Sequence, residues 1–231
     1  MVLEFLRGGD FRGFIVSLLL SLPIVLLSLS VHETAHGYIA HKLGDPTAYN
    51  YGRLSLNPIK HIDPIGFLCM ILFGFGWAKP VPINTRYFEN PRRDMAITGA
   101  AGPLSNLCLA LIHLVVLRIV MIFATDAMLQ GSIPSQTALT VLALVVYLLY
   151  MGVAMNVILA IFNLIPIPPL DGSRILYAIS PDPVREVLNK IESYGIIIVY
   201  ILILLFGNLF SSLMINGMTG IINFFYLIVG G

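Results

Sequence analysis

From Tyr194 to Gly231 the chain runs thirty-eight residues without an acid or a base, and Gly13 to Val31 adds another nineteen. At 1.5 Å of rise per residue, about twenty apolar residues cross the hydrocarbon core of a bilayer. Each backbone amide there must find its partner inside the protein, so a single run of this length crosses as a helix. With 58% hydrophobic and only 11% charged residues over 231 positions, the chain reads as an integral membrane protein lying in the lipid bilayer. A net charge of +1 and the lack of a basic block leave no footing for nucleic acid. Cys69 and Cys108 lie inside apolar runs without CxxC spacing and read as free, packed thiols. The N-terminal segment carries acids before its apolar run and offers no small-residue cleavage site, so no removed signal peptide is expected.

The first span is Gly13–Val31, with a helical pattern continuing to about His41 and a kink expected at Pro23. Gly44, Asp45-Pro46, Gly52 and Asn57-Pro58 punctuate residues 42–63, which read as a loop with one or two short strands. Pro64 to Trp77 is apolar, but it is too short for a comfortable crossing and suits a re-entrant or interfacial segment. Pro80 and Pro82 then alternate with Val81 and Ile83, the pattern of an extended stretch. Ala96–Leu117 is the second span, opening on Gly99, Ala100, Ala101 and Gly102, which allow a neighbouring backbone to approach closely. Thr137–Leu164 is the third, stopped by Pro166, Pro168 and Pro169.

Beyond that stop, Asp171-Gly172 opens a short helix to Ile179, and PDPVREVLNKIES reads as an amphipathic surface helix. Tyr194–Gly231 is either one span with a re-entrant tail or a hairpin broken near Gly207-Asn208. The expectation is an all-α polytopic membrane protein: one membrane-embedded domain over 1–231 with about four to five transmembrane helices, a re-entrant segment and a short extended stretch.

Charge placement orients these spans. If 64–77 is re-entrant, Lys42, Arg53, Lys60, Lys79, Arg86, Arg92 and Arg93 share one side with Arg174, Arg185 and Lys190. Arg7 and Arg12 face them from the other side, and Arg118 sits at the outer end of its helix. The positive-inside rule makes the ten-charge side cytoplasmic. The same parity brings Asp171 to the side where the first helix emerges.

That first helix ends in His32-Glu33-Thr34-Ala35-His36. On a helix His32 and His36 lie about 40° apart around the axis and can aim a ring nitrogen at one metal ion. Glu33 lies about 60° round from His36, placed to reach a water beside that metal. This is the layout of a metal-dependent hydrolase, where the metal lowers the pKa of the water and the carboxylate takes its proton. With five His and five Glu in the chain, chance gives such a motif in roughly two of a thousand sequences. Counted from Phe14, the pair lies roughly 27–33 Å along the helix, inside the membrane boundary near the exit side.

A catalytic zinc site usually has three protein ligands and one open position. Asp63, Asp94, Asp126, Asp182, His41, His61 and His113 are candidates for the third. His41 faces about 140° away from His36, and His113 reads as a hydrogen-bonded interior residue. Asp171 follows the break N-L-I-P-I-P-P-L-D-G, and broken backbone deep in a membrane is tolerated where it lines a cavity. It is either the third ligand or the N-cap of the helix it opens.

HETAH at 32–36, GPLSN at 102–106 and NLIPIPPLDG at 163–172 together resemble the site-2 protease family of intramembrane zinc metalloproteases. The likeness runs from about Val31 to Ile179. It implies that His32, His36 and Asp171 bind one Zn2+ per chain, that Glu33 activates water, and that Asn163 lies at the active site. GWAKPVPIN at 76–84 also resembles a family segment, one suited to pair with an unwound substrate. The apolar span that precedes the motif helix in some members, and their PDZ or CBS modules, have no counterpart in these residues. The resemblance implies a multi-pass protein of the cell membrane that cuts transmembrane segments of partner proteins, its active site toward the cytoplasm. The rival readings are a divalent-metal transporter, which would want acids or His through several spans, and an inactive scaffold, against which an intact Glu33 speaks.

Overall fold

The computed structural model describes residues 11–73, 76–131 and 135–230. Their helices are α1 (Phe11–Lys42), α2 (Thr47–Asn50), α3 (Pro64–Phe73), α4 (Pro91–Leu129), α5 (Gln136–Asn163), α6 (Asp171–Ile179), α7 (Asp182–Glu192) and α8 (Gly195–Val229). Of these, α1, α4, α5 and α8 are long and apolar enough to cross a membrane. The chain is an all-α polytopic membrane protein.

Central α4 packs against α1, α5, α6 and α8. Ala110, Leu114 and Leu117 of α4 meet Val153 and Val157 of α5 and Ile222 and Phe225 of α8 in one buried cluster. In lipid, this cluster gains close packing rather than release from water, which favours its small and branched side chains. Large apolar residues also point outward: Phe123, Leu129, Leu205 and Leu227 are 70% exposed or more, as a lipid-facing surface requires. Arg118 of α4 donates to the carbonyl of Gly230 (2.6 Å), tying the C-terminal end of α8 to the far half of α4.

The elements depart from the sequence expectation in four places. Among the described residues 42–63 form no strand; α2 and a 3-10 turn at Pro58–Lys60 replace it. The extended stretch makes one isolated antiparallel bridge, Ile62 with Ala78. Helix α4 begins before and ends after the expected Ala96–Leu117. Pro91 starts it and Asp94 accepts from the N–H of Asn90 (3.0 Å), so ordinary helix-start chemistry, not hydropathy, sets its beginning. Cys108, expected to be packed, is exposed, since an apolar side chain costs nothing on a lipid-facing surface.

Two further segments matter for the site. Residues 195–229 are two helical stretches joined at a kink, where Phe206 alone departs from helical angles (φ −119°, ψ 25°), one residue before the expected break at Gly207-Asn208. Around α3, only ten residues long, the flanks lie side by side, with the Lys79 N–H donating to the His61 carbonyl (2.8 Å) in addition to the bridge. Asp63 caps α3 by accepting from Ile65 and Gly66. Farther on, Asp45 accepts from the N–H of Asn84 (2.7 Å), which fastens the segment before the Thr85–Tyr87 turn to the end of α1.

Candidate metal centre

Helix α1 carries His32 and His36 on one buried face, their Nε2 atoms 3.0 Å apart. Asp171 arrives from α6, with Oδ2 at 3.1 Å from the first and 3.2 Å from the second. Asp171 is the opening residue of α6, its N-cap is Leu170, and no side chain caps the helix. The capping alternative is therefore not what its carboxylate does. The close approach depends on Gly172, where a Cβ would stand 2.2 Å from the Leu164 carbonyl oxygen at the end of α5.

Hydrogen bonds assign the imidazole protons. The Nδ1 of His36 faces the Thr98 carbonyl (2.7 Å), which can only accept, so that nitrogen carries its hydrogen. The Nδ1 of His32 faces Oδ1 of Asn106 (2.6 Å). Asn106 is held in that orientation because its Nδ2 donates to the Ser28 carbonyl (3.2 Å) and to Oδ1 of Asn156 (2.8 Å). Asn156 in turn donates to the Gly152 carbonyl (2.8 Å). A chain of amides thus runs from α5 through α4 to the ring of His32 in α1.

With both Nδ1 atoms protonated, three lone-pair-bearing atoms converge: two imidazole nitrogens and one carboxylate oxygen. Asp171 Oδ2 is buried with no hydrogen-bond donor. Such a triangle is repulsive unless a cation sits against it. Ligands about 2.0–2.1 Å from a tetrahedral zinc lie about 3.3 Å from one another, close to the 3.0–3.2 Å separations observed. The residues fit a metal ion, and they are the one such group among the described residues. With protons on the imidazoles instead, burial works against charge on Asp171, but hydrogen bonds from His32 and His36 outweigh it and hold the carboxyl below the usual carboxylate range.

The cluster opens into a cleft of about 140 Å³ whose walls include Glu33, Val81, Ile83, Asn163 and Arg174. Oε2 of Glu33 accepts from the N–H of Val81 (2.9 Å), which holds this carboxylate in the cleft wall. Asn163 donates from Nδ2 to the Leu159 carbonyl (3.0 Å), leaving its amide a second hydrogen.

The other candidates lie elsewhere. His41 stacks on Tyr49 at 5.1 Å, His61 pairs with the Ser55 carbonyl (2.6 Å) and His113 with the Leu109 carbonyl (2.8 Å). Asp63 and Asp94 serve the helix starts described above. Asp126 pairs with Gln130, and Asp182 with Arg185.

Residues 20–206 match Peptidase family M50. The chain belongs to that family. It is 39% identical over 193 residues to a candidate zinc metalloprotease of Bacillus subtilis, YwhC, covering 83% of this chain and 84% of that one. Another candidate zinc metalloprotease, Rip2 of Mycolicibacterium smegmatis, is 28% identical over 78% of this chain, which spans 64% of the Rip2 length. A third, MJ0611 of Methanocaldococcus jannaschii, is 27% identical over 66% of this chain and 71% of its own. No solved structure matches. Zinc is the cofactor of this M50 chain.

Sequence reasoning gave no role to Asn106, to Asn156 or to the Thr98 carbonyl. The signal for the first was present, because Asn106 ends the GPLSN motif and an amide inside an apolar span needs a reason to be there. Asn156 carried the same signal without a motif.

Proposed function

We propose that His32, His36 and Asp171 hold one zinc ion per chain and that Glu33 is the general base for hydrolysis of a peptide bond in a membrane-protein substrate. The observation that carries this assignment is the buried convergence of three acceptors beside a carboxylate. Zinc bound there supplies a Lewis acid that acidifies a water and polarises the scissile carbonyl.

The chain's own groups do the rest. Glu33 takes a proton from the water as its oxygen bonds to the carbonyl carbon, then delivers that proton to the amide nitrogen as the C–N bond breaks. The products are a carboxylic acid and an amine, and Glu33 returns to its starting state. To the second amide hydrogen of Asn163, which lines the same cleft, we assign stabilisation of the charge developing on the carbonyl oxygen. The role we give to Val81 and Ile83, which line the cleft, is to offer backbone against which an unwound substrate lies. Unwinding is required because a helix hides its carbonyls in its own hydrogen bonds, so helix breakers in the substrate favour cleavage.

The chain is thus an intramembrane zinc endopeptidase, multi-pass in the membrane. We further place the site toward the cytoplasm of the cell membrane, from the ten-to-two distribution of Lys and Arg. In this arrangement α3 enters and leaves on the cytoplasmic side, a reading supported by its short length and paired flanks. The transporter alternative finds no support. The described residues hold no second metal-binding group along the spans to make a path.

The test is reconstitution with a single-span substrate carrying a helix-breaking residue. Two fragments identified by mass spectrometry, lost on chelation and restored by zinc, are expected. An intact substrate with zinc crossing the vesicle would overturn the reading.

A further inference from the structure

Beside the catalytic cleft lies a larger one, about 510 Å³, at the joint of α4, α6 and α7. Its lining includes Arg92, Ser173, Arg174, Tyr177, Asn189 and Glu192. Arg174 borders both clefts, and it stands one helical turn beyond Asp171. Arg174 thus stands where the two clefts share a wall, and Arg92 lines the larger one alone.

We propose that this second cleft binds the stretch of substrate flanking the scissile segment on the cytoplasmic side and that Arg92 and Arg174 select acidic flanks over basic ones. The inference rests on the peptidase reading and the sidedness above. Its volume lies within the range of pockets that enclose small-molecule ligands, enough for a few residues of extended chain.

The charge of the cleft carries the selection. Arg174 is half-buried and donates to the Met95 sulfur at 3.6 Å, a weak acceptor. Among the described residues no carboxylate pairs with it. Arg92 reaches Asp182 at 3.8 Å, but both groups are more than half exposed and Asp182 is held more closely by Arg185. Glu192 is the one acid in the lining. Two guanidinium groups are left with unused donors, whose geometry suits a carboxylate.

Membrane proteins present mostly Lys and Arg at their cytoplasmic flanks. Such flanks are repelled here, so the cleft rejects the common case and accepts a minority. Repulsion of this kind is an effective source of specificity.

The experiment uses the full chain in vesicles of zwitterionic lipid, with three single-span substrates differing only in two residues cytoplasmic to the cleaved bond: Asp-Asp, Ser-Ser or Lys-Lys. The expected order of kcat/KM is Asp-Asp, Ser-Ser, Lys-Lys, spanning about tenfold and expressed mainly in KM. Arg92→Glu, at an exposed position, should shift the order toward Lys-Lys, with its zinc content measured to show that the fold is kept. Equal kcat/KM for the three flanks in the wild type, or an order unchanged in both Arg92→Glu and Arg174→Gln, overturns the selection while leaving the peptidase intact. Failure to cleave any of the three overturns the peptidase reading itself.

Discussion

Gly102 lies so close to His36 that a Cβ added to it would stand 2.4 Å from Nε2, and 2.6 Å from the ring of His32. The backbone of α4 is in effect one wall of the metal centre. Gly102→Ala is therefore expected to push both rings off their common point and reduce bound zinc to less than about a tenth per chain, with an overpacking cost of about 1–3 kcal/mol. Metal analysis alongside thermal unfolding checks it. Full zinc content in the variant would show that the rings can yield without losing the ion.

Removal of Asp171 tests the third ligand. Asp171→Ala leaves two imidazoles, too few for a catalytic zinc site, so the purified variant should lose its stoichiometric metal. Zinc unchanged at one per chain would take Asp171 out of the coordination shell.

Asn106 orients the ring of His32, a proposed metal ligand. In Asn106→Leu the Nδ1 hydrogen loses its acceptor, and the Ser28 carbonyl and Asn156 lose their donor. Zinc affinity, measured by competition with a chelator, should fall about 10- to 100-fold. Asn106→Asp keeps an acceptor for the ring and should lose less. Equal losses in the two variants would indicate packing, not ring orientation.

These predictions divide according to what a sequence can carry. His32, Glu33 and His36 were legible because their relative placement is a property of the helix alone. Asp171 was legible as a ligand or a cap from its proline-rich approach, and its position over the two rings needed the packing of α6 against α4. The Thr98 carbonyl and the Val81 N–H could not be read, since every residue has such groups and only tertiary structure aims them. Gly207-Asn208 marked a break that the structure has one residue earlier, as a kink at Phe206, and the two readings stayed open in the sequence because such residues weaken a helix without fixing the direction in which the chain leaves it.

Sidedness is open to direct chemistry. Tyr51 and Asn90 are both exposed, and they lie on opposite sides of α3 in the chain. Single cysteines at these positions, in a background lacking Cys69 and Cys108, should both react with an impermeant reagent from the cytoplasmic face. Reaction from opposite faces would mean that 64–77 crosses the membrane.

Glu33→Gln separates holding the metal from using it. Glutamine keeps the length of the side chain and can still accept the Val81 N–H through its carbonyl oxygen, so the cleft wall and both His ligands should stay in place. Zinc content should therefore remain near that of the wild type. Proton transfer is lost, however, because an amide cannot take a proton from water, and cleavage should fall by about 10² to 10⁴. Substrate recognition does not require the base, so an uncleaved single-span substrate should co-purify with the variant. The measurement pairs zinc content with fragment yield in the same preparations. Retained zinc with full cleavage would remove Glu33 as the base, whereas loss of both together would show that it supports the metal centre instead.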